Sequence, residues 1–217
     1  MIERVRQTLA FCVRLVLLLF VGCAQLEAEV GADPPAAATP KCDSAARFGL
    51  YYWNVRPEAT AELVDFLVKV ENRTGAPVAL ATLGIRYYFS DELPTPATLD
   101  VFYSDTCCTN KSTFNERVLR SVRPASGTTR ADSYIEIGFE PSVGELASGD
   151  AVQVEIGYQD AASVKSSIQS NDYSFLATAI GTQSDWDACP GPACLPSFTN
   201  CALTVDQAGM RVWGAPP

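Results

Sequence analysis

Three stretches of this chain alternate apolar with other residues at a period of two, and that period restricts the fold more than any other feature. Val64, Phe66, Val68 and Val70 interleave with Asp65, Leu67, Lys69 and Glu71. Ile135, Ile137 and Phe139 interleave with Tyr134, Glu136, Gly138 and Glu140, and Val152, Val154, Ile156 and Tyr158 with Gln153, Glu155, Gly157 and Gln159. Successive side chains of a strand point to opposite faces, so each stretch predicts a strand with one face on a core and one in water. Residues 84–90, GIRYYFS, add an aromatic-rich strand. Turn-forming clusters at 72–77, 124–127 and 141–150 separate them. No stretch after the leader has a convincing helical period. Many short strands at this spacing predict an all-β antiparallel sandwich over residues 46–217. About 170 residues suffice for one full core.

The start of the chain reads differently. Arg4, Arg6 and Arg14 precede the apolar run at 15–21, and Gly22-Cys23 follows. A basic start, a short apolar run and a small residue make an export signal. Seven apolar residues are too few to span a bilayer, which needs about 20. Phe20-Val21-Gly22-Cys23 resembles a bacterial lipobox, so Cys23 is the expected lipidated first residue of the mature chain, although Leu is usual where Phe20 stands. Residues 24–45 are rich in Ala, Pro and Glu, lack apolar periodicity and read as a linker. The expected localisation is a bacterial cell envelope or surface, with membrane contact through the lipid anchor alone; the alternative is a secreted protein.

Six cysteines follow Cys23: Cys42, Cys107, Cys108, Cys189, Cys194 and Cys201. An even count in an exported chain predicts three disulfides among 15 possible connectivities. Cys107 and Cys108 are not expected to pair with each other, because a vicinal bridge is strained. The chain has neither a CxxC pair nor any His, which disfavours a cysteine metal site. Residues 188–201, with three Pro and three Cys, read as a stapled loop. Without residues 1–23 the chain has 16 − 3 = 13 basic and 25 − 1 = 24 acidic residues, net −11. That balance disfavours nucleic acid and anionic membrane surfaces as partners.

The stretch QSNDYSF at 169–175 has two readings. Asn171-Asp172 suits a solvated turn, and its oxygens also suit calcium. The wider pattern favours calcium. LGIRYYFSDE at 83–92, SYIEIGFEPSVGELASGD at 133–150, QSNDYSF, Trp186-Asp187 and MRVWGAPP at 210–217 stand in the order and spacing of the family 3 carbohydrate-binding modules. The chain closely resembles that family from about residue 47 to 217, with 188–201 as an insertion. The resemblance implies a jelly-roll β-sandwich and a structural calcium ion. It places the ligands at Ser90, at Asp91 or Glu92, at the Ile168 carbonyl, and at Asn171 and Asp172.

The resemblance also implies cellulose or another β-glucan as partner, held by a strip of aromatic and polar residues on one sheet face. Two strip positions are lost here. The Trp falls at Val164 or a small neighbour, and the Arg falls at Gly157. Tyr103, Asp105 and Phe114 are the candidates for the rest. The expected function is non-catalytic polysaccharide binding. The alternative is a surface scaffold or adhesion lipoprotein that keeps the fold without the sugar. Catalysis is disfavoured. A chain without His forms no Ser-His-Asp triad and no His-ligated zinc site. Glu136 and Glu140 lie on the outward face of a strand, where charge is ordinary.

Overall fold

The alternating stretches form strands, and their expected faces point inward. In the computed structural model the described residues are 42, 46–90, 97–107, 113–128, 130–161, 169–179, 181–190 and 196–217, all within the unit Thr39–Pro217. The expected leader, Cys23 and all but a few residues of the linker lie outside them. Eleven strands follow one another among the described residues: β1 (Phe48–Asn54), β2 (Leu63–Asn72), β3 (Val78–Ala79), β4 (Leu83–Phe89), β5 (Ala97–Cys107), β6 (Val118–Pro124), β7 (Ser133–Phe139), β8 (Glu145–Leu146), β9 (Ala151–Asp160), β10 (Thr204–Gln207) and β11 (Met210–Trp213). One sheet has the order β1-β2-β9-β5, the other β11-β10-β4-β7-β6, and β3 pairs with β8. Every pairing is antiparallel.

The two sheets meet over one apolar core, as an all-β sandwich requires. Leu50 and Tyr52 of β1, Phe66 and Val68 of β2, and Val154 and Ile156 of β9 face Ile85 and Tyr87 of β4 and Ile135 and Ile137 of β7. Phe66 stacks on Tyr87 across the sheets with ring centroids 4.5 Å apart. Full burial of each such side chain contributes about 1.5–3 kcal/mol.

The outer face of the five-stranded sheet carries a ladder of opposite charges. Arg211 of β11 pairs with Asp206 of β10, Asp206 with Arg86 of β4, Arg86 with Glu136 of β7, and Glu136 with Arg123 of β6. Cross-strand pairs of opposite sign favour this register over its slips. Glu136 is therefore engaged by two guanidinium groups.

The outer face of the four-stranded sheet departs from expectation. Alternation puts Asp65, Leu67, Lys69 and Gln153 in water, yet all are buried, Lys69 to 2% exposure. The cover comes from the segment read as a loop, 188–201, together with the residues just before it. Those residues form a short helix, α1 (Gln183–Asp187), where no helix was expected. Thr182 and Asp185 form a capping box, each side chain accepting from the other's backbone N–H. That Thr-x-x-Asp spacing is the sequence signal for α1.

Tyr51, Leu67, Trp186, Cys189 and Phe198 make a second apolar cluster between sheet and cover, with Trp53 and Val55 at its margin. Lys69 Nζ donates to the carbonyls of Trp186 at 3.0 Å and Cys189 at 2.7 Å, and it lies 4.5 Å from the Trp186 ring centroid. Trp186 Nε1 donates to Gln153 Oε1 at 3.0 Å. A buried ammonium is tolerable because two carbonyls and an aromatic face replace its water. Cys42 is bonded to Cys201, and Cys189 is also in a disulfide. Cys108 and Cys194 lie outside the described residues.

Candidate functional site

Two regions hold the residues singled out in the sequence. The first is the QSNDYSF stretch, which is no solvated turn. Gln169 Nε2 donates to the carbonyls of Arg56 and Glu58. Ser174 and Tyr88 exchange bonds, the Ser174 N–H to the Tyr88 carbonyl and the Tyr88 N–H to Ser174 Oγ. Asp172 is buried at 6% exposure. Its Oδ1 accepts the Ser90 N–H at 3.1 Å and its Oδ2 the Tyr87 hydroxyl at 3.2 Å. The carboxylate thus joins the end of β4 to a loop more than 80 residues later. Asn171 is exposed beside it. Asp91, Glu92 and Ile168 lie outside the described residues, among which no three His, Cys, Asp or Glu side chains converge.

The second region is the outer face of the four-stranded sheet. The register aligns Trp53 of β1, Leu67 of β2, Glu155 of β9 and Tyr103 of β5 in one row across the sheet. Four strands span about 14 Å at their usual spacing. Strand β5 has a bulge here. Val101 opposes Ile156 and Tyr103 opposes Glu155, so Phe102 is the extra residue. A bulge re-aims side chains, and this one turns two successive aromatics to the outer face. The Phe102 ring lies on Gly157, where an added Cβ would come within 2.4 Å of it. Phe102 remains 45% exposed.

The three expected strip residues have different surroundings. Tyr103 lies on this outer face. Asp105 is on the same face but buried at 1% exposure, where it accepts the Tyr103 hydroxyl. Phe114 is corrected outright. It is 4% exposed in the main core, edge-on to Phe139 at 6.1 Å, with no face for a ligand. Val164 lies outside the described residues. Phe102 and Trp53 were missed, because alternation cannot foresee a bulge or a cover.

Between this row and the cover lies a cleft of about 600 Å³. Trp53, Leu67, Tyr103 and Glu155 line it from the sheet, Val55 and Phe102 flank it, and Gln183 and Asp187 of α1 face it. Trp53 is braced by Trp186, with ring centroids 5.9 Å apart. Burial, and then the negative charge of Asp65, raise the Glu155 carboxyl above its usual range. Burial, and then the bond to Asp105, push the Tyr103 hydroxyl up to about 12, so it stays a donor at neutral pH. The site offers aromatic faces beside carboxylate and amide groups, which can stack on a ligand ring and bond its hydroxyls.

The family model described as cellulose binding domain matches residues 50–191. Endoglucanase 5 of Pectobacterium carotovorum subsp. carotovorum is 28% identical over 171 residues, 77% of this chain and 29% of that enzyme. Cellulosomal-scaffolding protein A of Acetivibrio thermocellus is 27% identical over 172 residues, 76% of this chain and 8% of that protein. The chain spans less than a third of the length of these relatives. Among solved structures, a family IIIA CBD from Clostridium cellulolyticum superposes with a TM-score of 0.67 at 20% identity, covering 79% of this chain and 98% of that one. The CBM3a-L domain of a Clostridium thermocellum scaffoldin gives a TM-score of 0.67 at 24% identity, covering 82% and 95%. These two share the sandwich fold. With a family model matching well over half of its length, the chain belongs to the family 3 carbohydrate-binding modules.

Proposed function

We propose that this chain is a non-catalytic module that binds cellulose or a related β-glucan on the outer face of the four-stranded sheet. The observation that carries the reading is the outward row of Trp53 and Tyr103, with Phe102 beside it on Gly157. Family membership supports the ligand class. In support of a non-catalytic role, Glu136 is held by Arg86 and Arg123. The decisive measurement is a pull-down of the purified protein on microcrystalline and amorphous cellulose, with reducing sugar assayed in the supernatant. Retention above an inert control on at least one of the two, without sugar release, is the expected result. The buried Phe114 and the absent strip Arg favour a second reading, a scaffold or adhesion lipoprotein without sugar binding. No retention on any β-glucan removes the first reading and leaves the second standing.

Export and lipid attachment at Cys23 belong to the same proposal. The disulfides support it, since such bonds persist in oxidising compartments. The mass of the mature N-terminus checks it: an unmodified Cys23, or cleavage elsewhere, ends the anchor reading.

Calcium is proposed at the junction of β4 and the QSNDYSF stretch. Ser90, Asn171 and Asp172 supply only oxygen donors, from two loops remote in the chain and already joined through Asp172, which suits a hard cation of flexible geometry. Asp91 or Glu92 and the Ile168 carbonyl would complete the set. The ion would act as a clamp and supply no chemistry. At a hundredfold excess over its Kd it would stabilise the fold by about 3 kcal/mol. Chelation is therefore expected to lower the Tm by roughly 5–10 °C, with recovery on adding calcium. An unchanged melting curve, with no metal by elemental analysis, removes the claim.

A further inference from the structure

The cover makes the outer face of the four-stranded sheet an unsuitable mate for a flat crystal plane. A sheet face that meets a plane of sugar rings must be level along its whole row. Here Trp186 and Phe198 stand on Tyr51 and Leu67, and Lys69 ties the Trp186 and Cys189 carbonyls down from beneath. The face is thereby divided. One part is sealed under the insertion, and the other becomes the cleft of about 600 Å³ with α1 as one wall.

We propose that this cleft takes one unpacked, uncharged glucan chain, and that α1, with the insertion that follows it, selects this chain over the crystalline surface. The proposal rests on the polysaccharide-binding reading above and narrows its ligand. Trp53 and Tyr103 lie on the two outermost strands of the row, and Phe102 flanks it, so a chain crossing the strands meets an aromatic at each end. Gln183 and Asp187 on the wall and Glu155 on the floor are placed to accept hydroxyl protons along the edge of the chain. A chain inside a crystal presents that edge to its neighbours, whereas a free chain presents it to solvent. Among the described residues, the side chains lining the cleft include two carboxylates, Glu155 and Asp187, and no base, with buried Asp65 acting on Glu155. Like charge in a partly desolvated site disfavours polyuronates and leaves neutral glycans.

Titration of the intact protein with cellohexaose, followed by tryptophan fluorescence and calorimetry, tests this. Saturable binding is expected, with none to an oligogalacturonate of the same length. Adding cellohexaose is expected to release protein retained on amorphous cellulose. Trp53→Ala and Phe102→Ala are each expected to weaken cellohexaose about tenfold or more, since a stacked ring contributes strongly to such binding. Phe102 is exposed, so Phe102→Ala keeps the test sharp if Trp53→Ala lowers the Tm. Retention on cellulose with no cellohexaose binding overturns the cleft and leaves the module reading intact. Failure on both overturns the module reading itself. Cellohexaose binding unchanged in Phe102→Ala, or equal binding of the oligogalacturonate, also overturns the proposal.

Discussion

Trp186→Ala is expected to cost about 3–5 kcal/mol of stability, the usual range for emptying a fully buried aromatic site. For a domain of this size that corresponds to a fall in Tm of roughly 6–20 °C. Trp186 has no exposed surface and joins several interactions that fail together. Its ring is edge-on to Phe198 at 5.5 Å, it braces Trp53, and its Nε1 occupies Gln153 Oε1. The loss spreads because Lys69 depends on the same segment. If α1 lifts, Lys69 loses the Trp186 and Cys189 carbonyls, two of the groups that replace water around an ammonium at 2% exposure. Trp186→Phe separates the contributions. It keeps most of the apolar volume and leaves Gln153 Oε1 without its donor, which costs about 1–3 kcal/mol. Calorimetric melting of both variants, with limited proteolysis of residues 188–201, checks the order. A Trp186→Ala protein that melts within about a degree of the parent, with the segment still resistant, would show that the insertion is held by something else.

That cover is also where the sequence stopped being a guide. The strands were legible because each buries an apolar face at period two, and Val64 to Val70 and Val152 to Tyr158 point inward as their alternation requires. The opposite face obeys no such rule. Lys69 is in step with the outward residues and would ordinarily be solvated. Its burial depends on a segment more than 110 residues later folding back over β2, and no local pattern encodes that return. Phe102 illustrates a different limit. The bulge at Val101/Tyr103 slips β5 by one residue, so alternation counted from Leu99 is out of step beyond it. The space that receives the ring exists because residue 157 on the neighbouring strand lacks a Cβ. Phe114 failed for a related reason: it lies outside the alternating strands, where strand parity says nothing about which way a ring turns. Asp172 was legible only through resemblance. Asn-Asp alone reads as a turn, whereas in the fold its carboxylate is buried against Ser90 and Tyr87.

The Cys42–Cys201 bridge yields the other large expected effect. The two residues are 159 apart in sequence, so the bond closes most of the domain into one loop. In the chain-entropy treatment a loop of that length lowers unfolded-state freedom by about 5 kcal/mol at 25 °C, and removal of native bridges from small secreted domains typically costs about 2–5 kcal/mol. Position makes the upper part of that range the expectation here. Cys42 lies just before β1 of the four-stranded sheet, and Cys201 just before β10 of the five-stranded one, so the bond fixes the entry of the chain against its last strands. Cys42→Ser with Cys201→Ser should lower the Tm by roughly 8–20 °C and leave the inward packing of β2, β4 and β9 unchanged. Melting the parent protein in excess reductant supplies the comparison. A larger fall in the reduced parent than in the double variant assigns the difference to the remaining bridges, the one at Cys189 among them. Equal melting of the double variant and the oxidised parent would mean that the two ends of the domain are held without the bond, by the core that β1 shares with Leu203, Val205 and Trp213 and by the backbone bridge between Tyr51 and Thr199.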